Sequence, residues 1–183
     1  LPPHRLQQQE QLLNRAYQHF SSTAQQDIAS SYAAEWLLDN FFVVQQTIRQ
    51  IREDMPSGYY QQLPKLKNTK WAKYPRIYAL GQGTIDYSNS QINIEDTVTL
   101  LQAFQVGGVS LTMGELWAFP TMLRLGILDS LTKALAHLVQ TETPSVSTVP
   151  SNTDDSLVGY CITSLRMLAI QDWESFFERV CVV

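Results

Sequence analysis

Ala33-Ala34-Glu35-Trp36-Leu37-Leu38-Asp39-Asn40, running on to Ile51-Arg52-Glu53-Asp54-Met55-Pro56, is the stretch whose reading decides the fold. Ile28, Tyr32 and Trp36 form one apolar row; Leu37, Phe41, Val44, Ile48, Ile51 and Met55 form an adjacent one. The intervals are three and four residues, so on a helix the rows merge into one broad buried stripe. Pro56 disfavours helical geometry at Met55 and stops the run. The expected helix covers about Gln25 to Met55, roughly 45 Å at about 1.5 Å per residue, long enough for the spine of a domain. Trp36 belongs to the stripe and is expected in the core.

The flanking sequence reads as further helices. Leu6, Leu13, Ala16, Tyr17 and Phe20 give residues 5–20 an amphipathic pattern with glutamines outward, and Ser21-Ser22-Thr23 reads as a polar break. A short turn is expected around Gly58–Leu63, then an extended loop to Tyr74. Pro75 suits the first position of a helix ending near Tyr87, weakened by Gly81 and Gly83. Asn93 with Asp96 marks a start, and Gly107-Gly108 the matching stop. Thr112-Met113-Gly114-Glu115 is a capping box, flanked by Leu111 and Leu116 at hydrophobic-staple positions. That helix is expected to reach about Val139 with a kink at Pro120, and Trp117 is expected in its core face. Residues 141–153 read as a flexible loop, Asp154–Ile170 as a helix, and Asp172 as the cap of a last one. No strand alternation of useful length and no internal repeat occurs. The fold class is all-α: an irregular bundle of six to eight helices with one long central helix. The 183 residues suit a single domain, divided into an N-terminal helix (1–22), a core (25–140), the loop and C-terminal helices (154–183).

Composition narrows the function classes. A 44% hydrophobic share supplies a sizeable core, while a net charge of −4 disfavours nucleic acid and anionic membrane surfaces as partners. No apolar run approaches the ~20 residues of a membrane-spanning helix. Two cysteines, Cys161 and Cys181, do not make a disulfide framework and are expected reduced in the core. The leucine start is expected to reflect a fragment of a longer chain.

Candidate chemistry is sparse. Glu35 and Asp39 stand one helical turn apart and could act as acid and base, but such a pair is commonly a polar helix edge or a network held by Arg52 or Arg76. Glu115, Arg124 and Arg166 complete a candidate buried polar network with Glu35 and Asp39. Asp154-Asp155 reads as a helix cap rather than a cation site. His4, His19 and His137 lack metal-ligand spacing, so no metal site is expected. Gly81-Gln82-Gly83 is too short for a phosphate loop. Tyr59, Tyr60, Trp71, Tyr74 and Tyr78 lie among Lys65, Lys67, Lys70, Lys73 and Arg76. Either these rings offer sugar-docking faces, or they pack the loop onto the helices while the lysines solvate it.

Eight motifs in order carry a resemblance. They are Glu35-Trp36-Leu37-Leu38-Asp39-Asn40; Arg52-Glu53-Asp54 with Pro56 and Tyr59-Tyr60; Leu63-Pro64-Lys65-Leu66; and Pro75-Arg76-Ile77-Tyr78. Gly114-Glu115-Leu116-Trp117-Ala118 with Pro120 and Leu123-Arg124 comes next, then Ser164-Leu165-Arg166, Asp172-Trp173, and Phe176-Phe177-Glu178. Across roughly Tyr32–Glu178, weaker at 86–93 and 141–153, the chain resembles the N-terminal region of the cyclic β-1,2-glucan synthases. These are very large bacterial membrane enzymes that polymerise glucose from UDP-glucose.

The resemblance implies a parent that uses UDP-glucose with a divalent cation at the cytoplasmic face of the inner membrane. In that family this region precedes the membrane helices and the glucosyltransferase domain. This chain holds no Asp-x-Asp nucleotide-sugar site and no Gln-x-x-Arg-Trp motif, so transfer is not assigned to it. The expectation is a non-catalytic helical accessory domain with no cofactor of its own. Its expected partners are the rest of the synthase and, as a second candidate, β-glucan, met through Arg52, Asp54, Tyr59, Tyr60, Arg76 and Tyr78. A stand-alone interaction or carbohydrate-binding module is the alternative. An independent carbohydrate-active enzyme would need Glu35, Asp39 and Glu115 around one cleft.

Overall fold

The computed structural model describes residues 3–25, 31–67, 70–141 and 152–181. Eight helices form among them: α1 (Pro3–Gln25), α2 (Tyr32–Asp54), α3 (Ser57–Gln62), α4 (Arg76–Ser88), α5 (Ile94–Val106), α6 (Met113–Thr141), α7 (Asn152–Ile170) and α8 (Trp173–Cys181). The all-α bundle is as expected, but its centre is a different helix. α6 packs against α1, α2, α4 and α7, while α8 lies on α5. Every residue of α6 from Ala118 to Leu128 is buried, and the helix continues through Pro120.

α2 buries one of the two expected rows, with Leu37, Phe41, Val44, Ile48 and Ile51 buried. In the other row Tyr32 is exposed and Trp36 only half-buried, so the expected core placement of Trp36 is corrected. The helix begins only at Tyr32, where Ser31 caps it by accepting from the Ala34 amide at 3.2 Å. At 23 residues it is about 34 Å long rather than 45 Å. Ile28 and the rest of residues 26–30 lie outside the described residues. Asn40 leaves helical geometry (φ −120°, ψ 15°), and its side-chain amide donates to the Trp36 carbonyl at 2.9 Å. That side-chain bond competes with the helical ladder at the kink. α1 does not stop at Ser21-Ser22-Thr23. Thr23 donates its hydroxyl to the His19 carbonyl at 3.0 Å, which lets a polar residue continue the helix. Most of the expected 141–153 loop lies outside the described residues; Thr141 ends α6, and α7 begins at Asn152.

Local caps follow the sequence closely. Asn93 accepts from the Glu95 and Asp96 amides, and Asp172 from the Ser175 amide. The α4–α5 turn needs left-handed backbone at Asn89 (φ 50°) and Ser90 (φ 64°). Ser164 of α7 holds it, donating to the Ser90 carbonyl at 2.6 Å and accepting from the Ile92 amide at 3.0 Å. Cys161 is buried as expected, whereas Cys181 is exposed on the last turn of α8.

Two glycines set the approach of α4 to α6. A Cβ on Gly126 would stand 2.2 Å from Ile85 Cδ1, and one on Gly81 would stand 3.2 Å from Met122 Cβ. Gly81 therefore serves packing, while Gly83 has open space around it. Gly126→Ala is expected to cost about 1–2 kcal/mol, because overpacking outweighs the gain in helix propensity. Gly83→Ala is expected to add about 0.5–1 kcal/mol by restricting the unfolded chain. Urea unfolding of the two variants checks the pair; midpoints that move in the same direction would refute this account of α4–α6 contact.

Candidate functional site

The capping box at the start of α6 is the base of the site. Glu115 donates its amide to Thr112 Oγ1 at 3.2 Å, and its Oε2 accepts from the Thr112 amide and hydroxyl at 2.9 Å each. Leu111 and Leu116 are both buried beside it, as a hydrophobic staple requires. Arg76, the first residue of α4, closes on the same carboxylate: Nε reaches Oε1 at 2.5 Å and Nη2 reaches Oε2 at 2.8 Å. Nη2 also donates to the Ser110 carbonyl at 2.7 Å. The Glu115 side chain is 0% exposed. Burial alone would raise its pKa, but the bonds from Arg76 and Thr112, with the charge of Arg76, hold it below the usual carboxylate range. This clamp is structural. It joins two helix starts and puts negative charge at the amino end of α6.

Beside the clamp, Tyr59 of α3 donates its hydroxyl to the Gly114 carbonyl. Burial pushes the Tyr59 pKa up, so the proton stays in that bond. Tyr59 forms one wall of a groove of about 520 Å³, with Asp54 from α2, Trp117 and Arg124 from α6, and Trp173 and Phe177 from α8. Asp54 Oδ2 pairs with Arg124 Nη1 at 3.2 Å, and Asp54 Oδ1 accepts from Gln50 Nε2 at 2.8 Å. Arg124 is buried, donates to the Leu168 carbonyl at 3.4 Å, and lies 6.0 Å from the centre of the Trp173 ring. Burial lowers its pKa, and the Asp54 charge opposes that shift. Trp173 Nε1 donates to the Leu168 carbonyl as well. Trp117 is 62% exposed on the groove rim, so its expected core placement is corrected. Leu116, Phe119 and Leu123 take the buried positions around it.

The other singled-out residues separate into distinct settings. Arg52 pairs with Glu10 on the surface. Tyr78 is 3% exposed, stacked on Tyr74 with centroids 4.9 Å apart and edge-on to Trp71. It therefore belongs to the core and not to a recognition face. Tyr60 is half-buried in the same region. Burial pushes its pKa up to about 12, and its hydroxyl has no hydrogen-bond partner among the described residues. The aromatic loop thus packs onto the bundle, and Arg5 bridges it to α6, donating to Tyr74 Oη at 3.0 Å and Asp129 Oδ1 at 2.8 Å.

The candidate polar network does not assemble as one unit. Glu35, Asp39 and Arg166 are exposed, with Arg166 Nη1 3.4 Å from Asn40 Oδ1. Glu115 is sealed under Arg76 instead of sharing a cleft with the two α2 carboxylates. Their positions outside the apolar rows already put Glu35 and Asp39 on the solvent side of α2. Asp154 and Asp155 diverge: Asp154 Oδ2 lies 2.6 Å from His137 Nδ1, and Asp155 Oδ1 accepts from the Ala33 amide at the start of α2. Gln9 is buried and donates to Asp129, so not every α1 glutamine faces outward.

Fold and site together define an all-helical domain whose buried charges are paired and whose aromatic groove opens to solvent. No family model matches the chain. Over 127 residues, 69% of its length, it is 32% identical to the Cyclic beta-(1,2)-glucan synthase NdvB of Rhizobium meliloti (strain 1021). The chain is related to that synthase, of which it spans about 4% of the length. Among the described residues no helix is long and apolar enough to cross a membrane.

Proposed function

We propose that this chain is a non-catalytic helical accessory domain of a cyclic β-1,2-glucan synthase-like glycosyltransferase, packing on the catalytic part of that larger protein and contacting its glucan. The similarity to a short segment of a far longer synthase is the observation that carries the reading. The site chemistry supports it: the buried carboxylate Glu115 is fully engaged by Arg76 and Thr112, which leaves it no role in proton transfer. In this reading the parent takes UDP-glucose with a divalent cation at the cytoplasmic face of the inner membrane, and this domain needs neither.

The test compares the chain alone with the parent. Given UDP-glucose and Mg²⁺, the chain alone should release neither UDP nor glucan. Excising the segment from a parent synthase should drop β-1,2-glucan output to background, with partial recovery when the chain is supplied in trans. Undiminished output after excision would remove the accessory role; turnover by the chain alone would make it an enzyme.

A further inference from the structure

We infer that the groove between α2, α6 and α8 is a binding site for a short, neutral gluco-oligosaccharide, gripped between Trp117 and the Asp54–Arg124 pair. The inference rests on the accessory-domain reading and gives it a location.

Three features select such a ligand. First, the groove exposes aromatic surface: Trp117 is 62% exposed on its rim, and Trp173 and Phe177, packed on each other and on Phe176, continue the wall. An aromatic face carries negative charge density, and the C–H face of a pyranose presents the complementary positive edge. Second, the polar groups sit beside the rings and are fixed before any ligand arrives. Gln50 and Arg124 hold Asp54 from two sides, and Arg124 is itself held by the Leu168 carbonyl. Each Asp54 oxygen keeps lone-pair capacity beyond the single donor it accepts. A carboxylate next to a guanidinium offers an acceptor and a donor at neighbouring points, which is the pattern that adjacent sugar hydroxyls match. Third, the charges cancel. One carboxylate faces one guanidinium at 3.2 Å, so the groove has no surplus cation for a phosphate and no surplus anions for a metal. At about 520 Å³ it falls within the ligand-cleft range of about 300–1,000 Å³.

The test is a titration of the chain with a β-1,2-linked gluco-oligosaccharide, followed by tryptophan fluorescence and by NMR of the indole N–H signals. Saturable binding at micromolar to millimolar concentration is expected, weakened about tenfold or more by Trp117→Ala and less by Trp117→Phe. Trp117 is exposed, so Trp117→Ala should keep the wild-type Tm, which a thermal scan of the same sample verifies. UDP-glucose should bind more weakly than the neutral sugar. No saturable response, a response that Trp117→Ala leaves intact, or tighter binding of UDP-glucose each overturns the assignment. Excision from the parent is read separately. A lost output with no glycan binding removes this site and leaves the accessory role standing, with Trp117 then covered by protein. An unchanged output with glycan binding does the reverse.

Discussion

Arg76→Met is expected to destabilise the chain by about 3 kcal/mol, because it leaves the Glu115 carboxylate buried without its cation. For a domain of this size that corresponds to a Tm lower by about 9 °C. The loss comes less from the attraction removed than from the uncompensated charge that remains. Glu115→Gln tests that distinction. Glutamine keeps the amide-accepting geometry of a capping box yet has no charge, so alone it should cost about 1–2 kcal/mol. The double variant should then be more stable than Arg76→Met, by at least about 1 kcal/mol. Additive losses would sink the argument.

The same clamp gives a pH dependence with a definite sign. The folded-state pKa of Glu115 lies below its ordinary value, so its contribution is present above about pH 4.5 and is lost as pH falls through the folded value. In Arg76→Met burial is opposed only by the Thr112 bonds, so that pKa rises relative to the wild-type fold. Protonation then relieves the variant as the medium is acidified. The stability gap between the two chains should be widest near neutral pH and should shrink below about pH 5. Urea midpoints measured across that range read the gap directly.

What the sequence reveals of this molecule divides by the range of the interaction. Thr112 with Glu115, Asn93 with Asp96, and Asp172 before Trp173 are readable because a cap is a contact between residues three apart. The α2 stripe and its end at Pro56 are readable for the same reason. The centre of the bundle was hidden by the opposite circumstance. From Ala118 to Leu128 α6 is buried all round, so it has no polar face, and periodicity gives no direction for Trp117. The signal available was compositional: in that run Arg124 is the only charged residue. Its partner Asp54 is seventy positions away, and no local pattern links them. Asn40 looked like one more polar position on a helix, yet its amide bends α2 by competing for a carbonyl. Of the candidate recognition residues, Asp54 and Tyr59 reach the groove. Tyr78 does not, since an aromatic at helical spacing reads the same whether it faces a ligand or its own core.

Phe176→Ala is expected to detach α8 and with it one wall of the groove. The ring is 1% exposed and lies parallel to Phe119, with centroids 6.3 Å apart, while Trp173 and Phe177 meet it edge-on at 5.2 and 5.7 Å. Truncating a buried phenylalanine costs about 3–5 kcal/mol. The remaining attachments of this nine-residue helix are few: Trp173 Nε1 donates to the Leu168 carbonyl, and Arg124 lies over the Trp173 ring. Val180 is buried, Gln102 and Gln105 donate to its last carbonyls, and the Arg179–Glu95 pair is exposed and adds little. With the Phe176 packing lost, the helix should open on its own before the bundle unfolds. Hydrogen exchange should show amides 174–181 losing protection while those of α6 keep it. The proposed glycan binding should weaken in parallel, because Trp173 and Phe177 leave the groove. Arg179→Ala, which touches the same helix only from solvent, should change stability by less than about 0.5 kcal/mol. Wild-type protection of α8 in Phe176→Ala would mean that the helix is fastened by something other than this aromatic cluster.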